Sequence, residues 1–521
     1  MTLKQLLEET EVQAVRGPWE VEIAGVAYDS RRVKPGEVFF ALSGARAEGR
    51  SFIARAREAG AVAAVIEAAA TPALVSAGAP ATVVEVAEPR RALGAAAARW
   101  HGHPSRALRV AAVTGTNGKT TITWMIEAIA RAAGRSTGLL GTTGVRFAGR
   151  ERAAAFTTPE ALELQGLLRE MVDAGVELVA LEASSHALAQ RRTYGLECDV
   201  VAFTNLSQDH LDFHRTMDAY LDAKLMLFDG RNGRTRKRTV AVVNQDDPAA
   251  ARVTEAAQRA GLRVVRVSGT GPGFAGYPTA ARDLEVWIAG LATAPNGLEL
   301  RVGRRGPAWI PRAGRELRVT LPLLGRYNAA NAAVAIGVAR ALRLPERAIV
   351  AGLATLPAVP GRLERVPSAA GFEVVVDYAH TPDALERALA AAREHARGRL
   401  LLVFGAGGDR DRAKRPIMGG IAARASDQAW ITNDNPRHED PAEIAREILA
   451  GAQGASPARA QVRVELDRRA AIAAAIAAAG AGDLVLIAGK GHETTQTIGD
   501  RVLPFDDRAV AAELLAAGVA R

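Results

Sequence analysis

Seven consecutive residues, Gly115-Thr116-Asn117-Gly118-Lys119-Thr120-Thr121, have the types and spacing to hold a polyphosphate. Backbone N–H groups of Gly115, Asn117 and Gly118 can converge on phosphate oxygens, helped by the positive end of a following helix dipole. Lys119 then reaches the β- and γ-phosphate oxygens, and the Thr120 hydroxyl ligates the magnesium that bridges them. The usual G-x-x-x-x-G-K-[ST] spacing needs glycine at Val113, and the first glycine is Gly115, so the loop is a shortened variant. It implies use of ATP or GTP and does not say for what.

Such a loop needs a strand to launch it and a helix to receive it. The β-branched run around Val110 and Val113 supplies the first, and apolar residues at helical spacing from Thr120 onward supply the second. Two more apolar runs end in polar clusters: VELVALEASSHAL in Glu182, Ser184, Ser185 and His186, and DVVAFTNLSQDHLDFH in Asn205, Asp209, His210, Asp212 and His214. In doubly wound sheets this edge is where ligands sit. Three readings of the last cluster stay open: a magnesium-linked His210, structural or surface histidines, and a zinc pair His210/His214 on one helix face. Against zinc stand the missing glutamate of H-E-x-x-H and the near absence of thiols. Lys224, on the next helical segment, reads locally as a solvated lysine, and Thr157-Thr158-Pro159 as a helix N-cap.

At 521 residues the chain divides into about three domains of ~150 residues. It has no apolar run near the ~18 to 20 residues that span a bilayer, and MTLKQLLEETEVQ lacks the basic and apolar regions of a signal peptide. A soluble, cytoplasmic protein without membrane insertion is expected. The single cysteine, Cys198, permits no internal disulfide. The net charge of +9 comes from arginines scattered among acids, a pattern that suits an anionic small substrate rather than nucleic acid.

Residues 1–107 alternate short strands (21–28, 38–42, 62–66, 82–86) with helical segments (51–59, 90–100), a small α/β module. Its loops at 28–32 and 44–49 offer donors to an anionic ligand and read equally well as solvated turns; HGHPS at 101–105 reads as a linker. Residues 108–360 form a second α/β unit around the phosphate loop, with a small antiparallel sheet expected beside the main one over 263–324. LPAVPGRLERV, 356–366, has the proline and glycine of a hinge. Residues 361–521 again alternate strand and helix, as in a Rossmann-like sheet. GAGG at 405–408 is a poor match to a dinucleotide fingerprint.

Taken in order, YDSRRVKPGEVFFAL, TGTNGKTT, LEASSHAL, FTNLSQDHLDFH, LGRYNAANAA, PGRLE, DYAHTPDAL, GGDRDRAKRP, DNPRHEDP and GKGHE span the whole chain. In that order they resemble the Mur ligases, ATP-dependent amide-forming enzymes of peptidoglycan precursor synthesis, and most of all the branch that adds meso-diaminopimelate. The resemblance implies a UDP-sugar-binding domain at 1–107, a P-loop-type ATPase domain at 108–360 and an amino-acid-binding domain at 361–521 that moves to close the site. It implies that meso-diaminopimelate is joined to UDP-N-acetylmuramoyl-L-alanyl-D-glutamate through an acyl phosphate, in cell-wall biogenesis and hence cell shape and division. A monomer is expected.

By motif, the resemblance places ATP phosphates on Gly115 to Thr121 and one magnesium on Thr120 and Glu182. A second would be served by His210 and Lys224, the latter aligning with a lysine that the family carbamylates. Lys119, Glu182, His210 and Lys224 are the implied catalytic set. Asn328, Arg362 and Asp377 match positions around adenine, phosphates and ribose. Tyr28, Ser30, Ala45, Arg46 and Ala47 match uridine-binding loops, and Thr157, Thr158, Ser184, Gln190 and Arg192 match contacts to the muramoyl dipeptide. Phe156 departs from the polar residue of some relatives. The amino-acid pocket is implied at Arg410, Asp434, Asn435, Pro436, Arg437, Gly489 and Glu493. Diaminopimelate differs from lysine by a far carboxylate, which an arginine fork can grip in two parallel bonds. Arg437 therefore argues against a lysine-adding enzyme, and the N-terminal YDSRR segment against a folylpolyglutamate-type one. A nucleotide-regulated binding protein is the rival from outside the enzymes.

Overall fold

The computed structural model of the chain describes residues 1–43, 49–68, 79–270, 283–305 and 316–518. Three sheets follow one another along the chain. The first has five strands in the order Val12–Arg16, Thr82–Val86, Ala63–Glu67, Glu37–Phe40, Gly25–Ala27. Val12–Arg16 lies antiparallel at the edge and the rest are parallel. That edge strand was not anticipated, because its alternation of half-exposed residues is masked by the acidic residues before it. The expected strand 21–28 shortens to Gly25–Ala27. HGHPS is no free linker: Pro104 and Ser105 are buried in a tight turn, and the Ser105 hydroxyl accepts from Glu197 N at 3.2 Å.

The central sheet has eleven strands. Its middle is parallel and runs Thr137–Gly141, Leu178–Glu182, Arg109–Thr114, Val200–Phe203, Val240–Asn244, Arg263–Ser268, Val286–Ala294. Both faces are covered, so its strands read as continuous apolar runs. Ala111 and Val113 pack under the helices Lys119–Ala132 and Asn328–Ala341, while Val110 and Ala112 pack under Ala161–Asp173. Fully burying one such valine contributes about 1.5–3 kcal/mol. The antiparallel strands Gly297–Arg304 and Leu317–Leu321 continue one edge of this same sheet.

The third sheet has six strands: Glu364–Val366 antiparallel at the edge, then Glu373–Asp377, Leu484–Ala488, Leu400–Phe404, Gln428–Ile431 and Gln461–Val464, all parallel. The hairpin Thr495–Ile498/Arg501–Pro504 stands beside it. The segment read as a hinge is packed in place. Val359 is buried, and at Gly361 (φ +64°) a Cβ would lie 2.2 Å from His492 N, which leaves room for glycine alone.

Candidate active site

Strand Arg109–Thr114 ends at Gly115 (φ +150°), where a Cβ would lie 1.8 Å from the Thr204 hydroxyl oxygen; the chain can pass there only as glycine. The helix beyond begins at Lys119 and is preceded by Gly118 in the left-handed region. Loop and helix start form one wall of a cavity of about 410 Å³, lined also by Thr142, Thr157, Glu182, Ser184, Asn331, Arg362 and Asp377. One expectation is corrected. The Asn117 N–H does not face this cavity, because it donates to Asn205 Oδ1 at 2.9 Å, as Thr116 N does to Asn205 O at 2.8 Å. A polar strand end beside the loop has captured them, leaving the amides of the first helical turn for an anion. The Lys119 ammonium donates to Gly115 O (3.0 Å) and Thr116 O (2.8 Å). Burial pulls its pKa down, against the opposing pull of Glu182 and Asp209.

Glu182 ends its strand fully buried. Its Oε2 accepts from the Thr120 hydroxyl (3.1 Å) and the Thr142 hydroxyl (2.9 Å), and its Oε1 from Thr142 N (2.9 Å). Arg362 Nη2, from within the segment 356–366, donates to the Thr120 hydroxyl at 3.1 Å. A hydroxyl and a carboxylate side by side at a phosphate cavity fit magnesium, which takes one or two carboxylates plus phosphate and water oxygens. They do not make a zinc cage. Among the described residues no three His, Cys, Asp or Glu side chains are grouped to hold a metal. The zinc pair also fails on geometry: His214 Nε2 sits 3.0 Å from the Ser185 hydroxyl, while His210, itself in the left-handed region (φ +55°), turns toward Asp209 (3.3 Å). Burial lowers the His210 pKa to about 3, so its ring is neutral.

Lys224 overturns its local reading. It is 1% exposed, donates to Gly115 O at 2.8 Å, and lies 4.2 Å from the Tyr220 ring centroid. Burial first, and the Lys119 charge second, depress its pKa well below the usual lysine range.

Across the cleft a cavity of about 190 Å³ is lined by Arg410, Lys414, Asp434, Asn435, Arg437, Gly489 and Glu493, together with Asp209, His210, Tyr378 and His380 of the nucleotide cavity. Arg437 has φ +51° and is clamped by its backbone to Thr497 O (3.1 Å). Its Nη1 donates to Gly408 O at 2.8 Å and Asn435 O at 3.4 Å, and nothing among the described residues accepts from its Nε and Nη2. Asn435 Nδ2 donates to Glu493 Oε2 (2.9 Å), and the buried Lys490 ammonium bridges Asn435 Oδ1 (3.2 Å) and Glu493 Oε2 (3.1 Å). Asp434 Oδ2 is buried without a partner. Pro436 shapes the turn without lining the cavity.

The remaining expected residues sit behind these walls or at the junction with the first sheet. Tyr28 donates from its hydroxyl to Glu163 Oε1 (2.8 Å), and Ser30 is buried. Arg192 donates to Thr158 O (3.2 Å) and Gln190 Oε1 (2.5 Å) and packs over the exposed Phe156 ring. Thr158 is not a helix cap. Its hydroxyl donates to Glu182 O (2.7 Å) and accepts from Ser184 N (3.1 Å), while Glu160 occupies the cap position of Ala161–Asp173 without a side-chain bond. Burial of Thr158 against the 182–184 turn decides this over local propensity. Ser184 caps Ser185–Ala189 through Ala187 N (3.2 Å). Asn328 Nδ2 donates to Leu324 O (2.7 Å), its Oδ1 accepts from Asn331 Nδ2 (2.7 Å), and Asn331 rather than Asn328 faces the cavity. Asp377 accepts from Leu363 N (2.7 Å) and Ala379 N (2.8 Å), and burial raises its pKa. Ala45, Arg46 and Ala47 lie outside the described residues.

Sequence reading passed over Thr142, Asn331, Tyr378, His380 and Lys490, which line or brace the two cavities. Thr142 could have been found as the first polar residue after the apolar run LLG, one position beyond the level of Glu182 on the neighbouring strand.

Three family models match the chain: the Mur ligase family catalytic domain over residues 22–101, the Mur ligase middle domain over 113–339, and the Mur ligase glutamate ligase domain over 361–491. The chain belongs to the Mur ligase family. Two full-length relatives carry the same name. The UDP-N-acetylmuramoyl-L-alanyl-D-glutamate–2,6-diaminopimelate ligase of Syntrophomonas wolfei is 41% identical over 99% of both chains. The ligase of the same name from Gloeobacter violaceus is 43% identical over 99% of this chain and 98% of its own. A solved structure of a ligase of that name, 32% identical, superposes with a TM-score of 0.67 over 99% of each chain. The folylpolyglutamate synthase of Mycobacterium tuberculosis, solved with ADP and AMPPCP, shares the fold at 21% identity, a TM-score of 0.61, and 83% and 95% coverage. Among the described residues no helix is long and apolar enough to cross a membrane.

Proposed function

We propose that this chain joins meso-diaminopimelate to UDP-N-acetylmuramoyl-L-alanyl-D-glutamate at the expense of ATP, in peptidoglycan precursor synthesis. Full-length kinship to diaminopimelate ligases supports this, and one observation carries it. The phosphate cavity and the cavity that holds Arg410, Lys414 and Arg437 share a wall at Asp209, His210, Tyr378 and His380. An acid activated on one side is therefore met by an amine held on the other.

The glutamyl carboxylate attacks the γ-phosphorus of ATP, the bond to the β-bridging oxygen breaks, and ADP leaves an acyl phosphate. The amino group of diaminopimelate then attacks that carbonyl carbon. The tetrahedral intermediate loses phosphate and a proton, and the amide remains. Little covalent chemistry falls to the protein, which positions the reactants and neutralises charge. Lys119 and the amides of the first helical turn offset phosphate charge, and Arg362 reaches the same place from the segment 356–366. Magnesium, when bound by Thr120 and Glu182, supplies charge neutralisation at the phosphate oxygens. His210 and Lys224 are assigned to a second ion, with Lys224 carbamylated; its burial and depressed pKa favour the neutral amine that the modification needs. Asn328, Arg362 and Asp377 are assigned to the nucleoside side. Tyr28, Ser30, residues 45–47, Thr157, Thr158, Ser184, Gln190 and Arg192 are assigned to the UDP-dipeptide.

The test offers the purified protein ATP, magnesium, the UDP-dipeptide, and diaminopimelate or lysine side by side. Tripeptide formation and ADP release that require both the dipeptide and diaminopimelate are expected. Phosphate release without a longer peptide, or equal use of lysine, refutes the assignment.

A further inference from the structure

Two charged residues beneath the amino-acid pocket touch nothing in the cleft, yet are among the most deeply buried side chains of the protein. Arg468 opens the helix Arg468–Ala478, Asp507 opens the helix Asp507–Ala516, and both side chains are 0% exposed. They pair side-on: Nε donates to Oδ1 at 2.8 Å and Nη2 to Oδ2 at 2.7 Å. Taking two ions out of water for stability alone is a poor bargain, since an apolar pair of the same volume often serves as well. The remaining donors of Arg468 suggest another use. Nη1 donates to Asn433 O at 3.2 Å and Nη2 to Ala488 O at 3.0 Å.

These carbonyls immediately precede Asp434 and Gly489, which begin the two turns of the pocket. The strands that lead to them, Gln428–Ile431 and Leu484–Ala488, are not neighbours; Leu400–Phe404 runs between them, so no ladder hydrogen bond sets the distance between the turns. Arg468 spans that gap. The spacing it maintains is tight. A Cβ on Gly489 would meet Asp434 Oδ2 at 2.5 Å, and that oxygen is the buried atom left without a partner.

We propose that Arg468, held in aim by Asp507, is a positioning residue for the incoming amino acid: it fixes the separation of the Asp434 and Gly489 turns and so sets the affinity for diaminopimelate. The proposal rests on the substrate reading above. Lys490 stitches the same two turns from the other side, through Asn435, and Arg468 is the brace beneath.

The test is the double variant Arg468→Met/Asp507→Leu in the full-length protein, which removes both charges together and strands neither in the interior. The expected result is a KM for diaminopimelate raised at least tenfold, with the KM values for ATP and the UDP-dipeptide within twofold of wild type and a Tm within a few degrees. Amide hydrogen exchange should rise in 433–437 and 488–493 and nowhere else in the third sheet. Arg468→Lys keeps the pairing with Asp507 but cannot reach both carbonyls, so it should fall between wild type and double variant in KM. An unchanged KM in the folded double variant overturns the positioning role, and so does a rise in all three KM values together with a fall in Tm, the signature of general loosening. Failure of the wild-type protein to consume diaminopimelate refutes the substrate reading, and this proposal with it.

Discussion

Replacing Arg437 by lysine separates charge from shape at the specificity pocket. Arg437 spends Nη1 on Gly408 O and Asn435 O, which leaves Nε and Nη2 side by side without an acceptor among the described residues. That edge is the geometry that grips a carboxylate in two parallel bonds. Each charge-assisted bond contributes about 1.5 kcal/mol at the low end, so losing two costs about 3 kcal/mol. At ~1.4 kcal/mol per tenfold, this is a rise of about 100- to 200-fold in KM for diaminopimelate. Lysine at this position keeps the charge and forfeits the fork, so Arg437→Lys should recover a part of the loss seen in Arg437→Met and no more. Neither substitution adds a β-branch at φ +51°, so backbone strain stays as in wild type. The assay is coupled ADP release under saturating ATP and UDP-dipeptide, with ATP affinity measured separately. A change in KM of less than about fivefold in Arg437→Met, with the protein folded, would refute the reasoning.

Three further perturbations test other parts. Lys224→Ala should abolish ADP release, and short carboxylic acids added to the variant should restore a part of it; full activity without addition would show that no carbamate is needed. Asp383→Ala removes the acceptor for Asn117 Nδ2 (2.9 Å) and the Ser207 hydroxyl (3.2 Å), bonds that tie the helix Pro382–His395 to the phosphate loop. At about 1 kcal/mol net per bond, the KM for ATP should rise at least fivefold with little change in Tm; an unmoved KM counts against a contact that matters in solution. Gly352→Ala puts a Cβ 2.5 Å from Ile129 Cα, where the helix Glu346–Ala354 crosses the helix that carries Lys119. Overpacking of this kind costs about 1–3 kcal/mol, read as a lower urea midpoint, and no shift would mean that the two helices separate freely.

The parallel core and the order of strands and loops were legible because buried strands read as apolar runs and each ends in polar residues at the ligand edge. Strand Arg109–Thr114 and the turn beyond it are such a case. What escaped were features that only tertiary contact creates. Val12–Arg16 becomes a strand because Thr82–Val86 offers an edge, and the Thr158 hydroxyl abandons the cap position because Glu182 O lies closer to hand. Asn117 donates its N–H to Asn205, a residue 88 positions away, which no local rule could supply. Lys224 is the sharpest example. Its own helix carries Asp, Ala, Leu and Lys like a surface helix, and the contact that marks it as interior is to Gly115 O, 109 positions away.

Lys119 and Lys224 both donate to Gly115 O, at 3.0 and 2.8 Å; Lys224 is buried, whereas Lys119 is half-buried on the cavity wall. Two ammonium groups sharing one carbonyl repel each other, and the repulsion falls when one gives up its proton. Lys119 lines the cavity proposed for the triphosphate and has Glu182 and Asp209 pulling its pKa upward. Lys224 sits behind the loop against Tyr220, and of its neighbours only Asp209 pulls its pKa upward. Lys224 is therefore the group that yields. The carbamate proposed for Lys224 needs such a neutral amine. The burial that makes Lys224 costly as a cation is the same burial that favours its neutral amine.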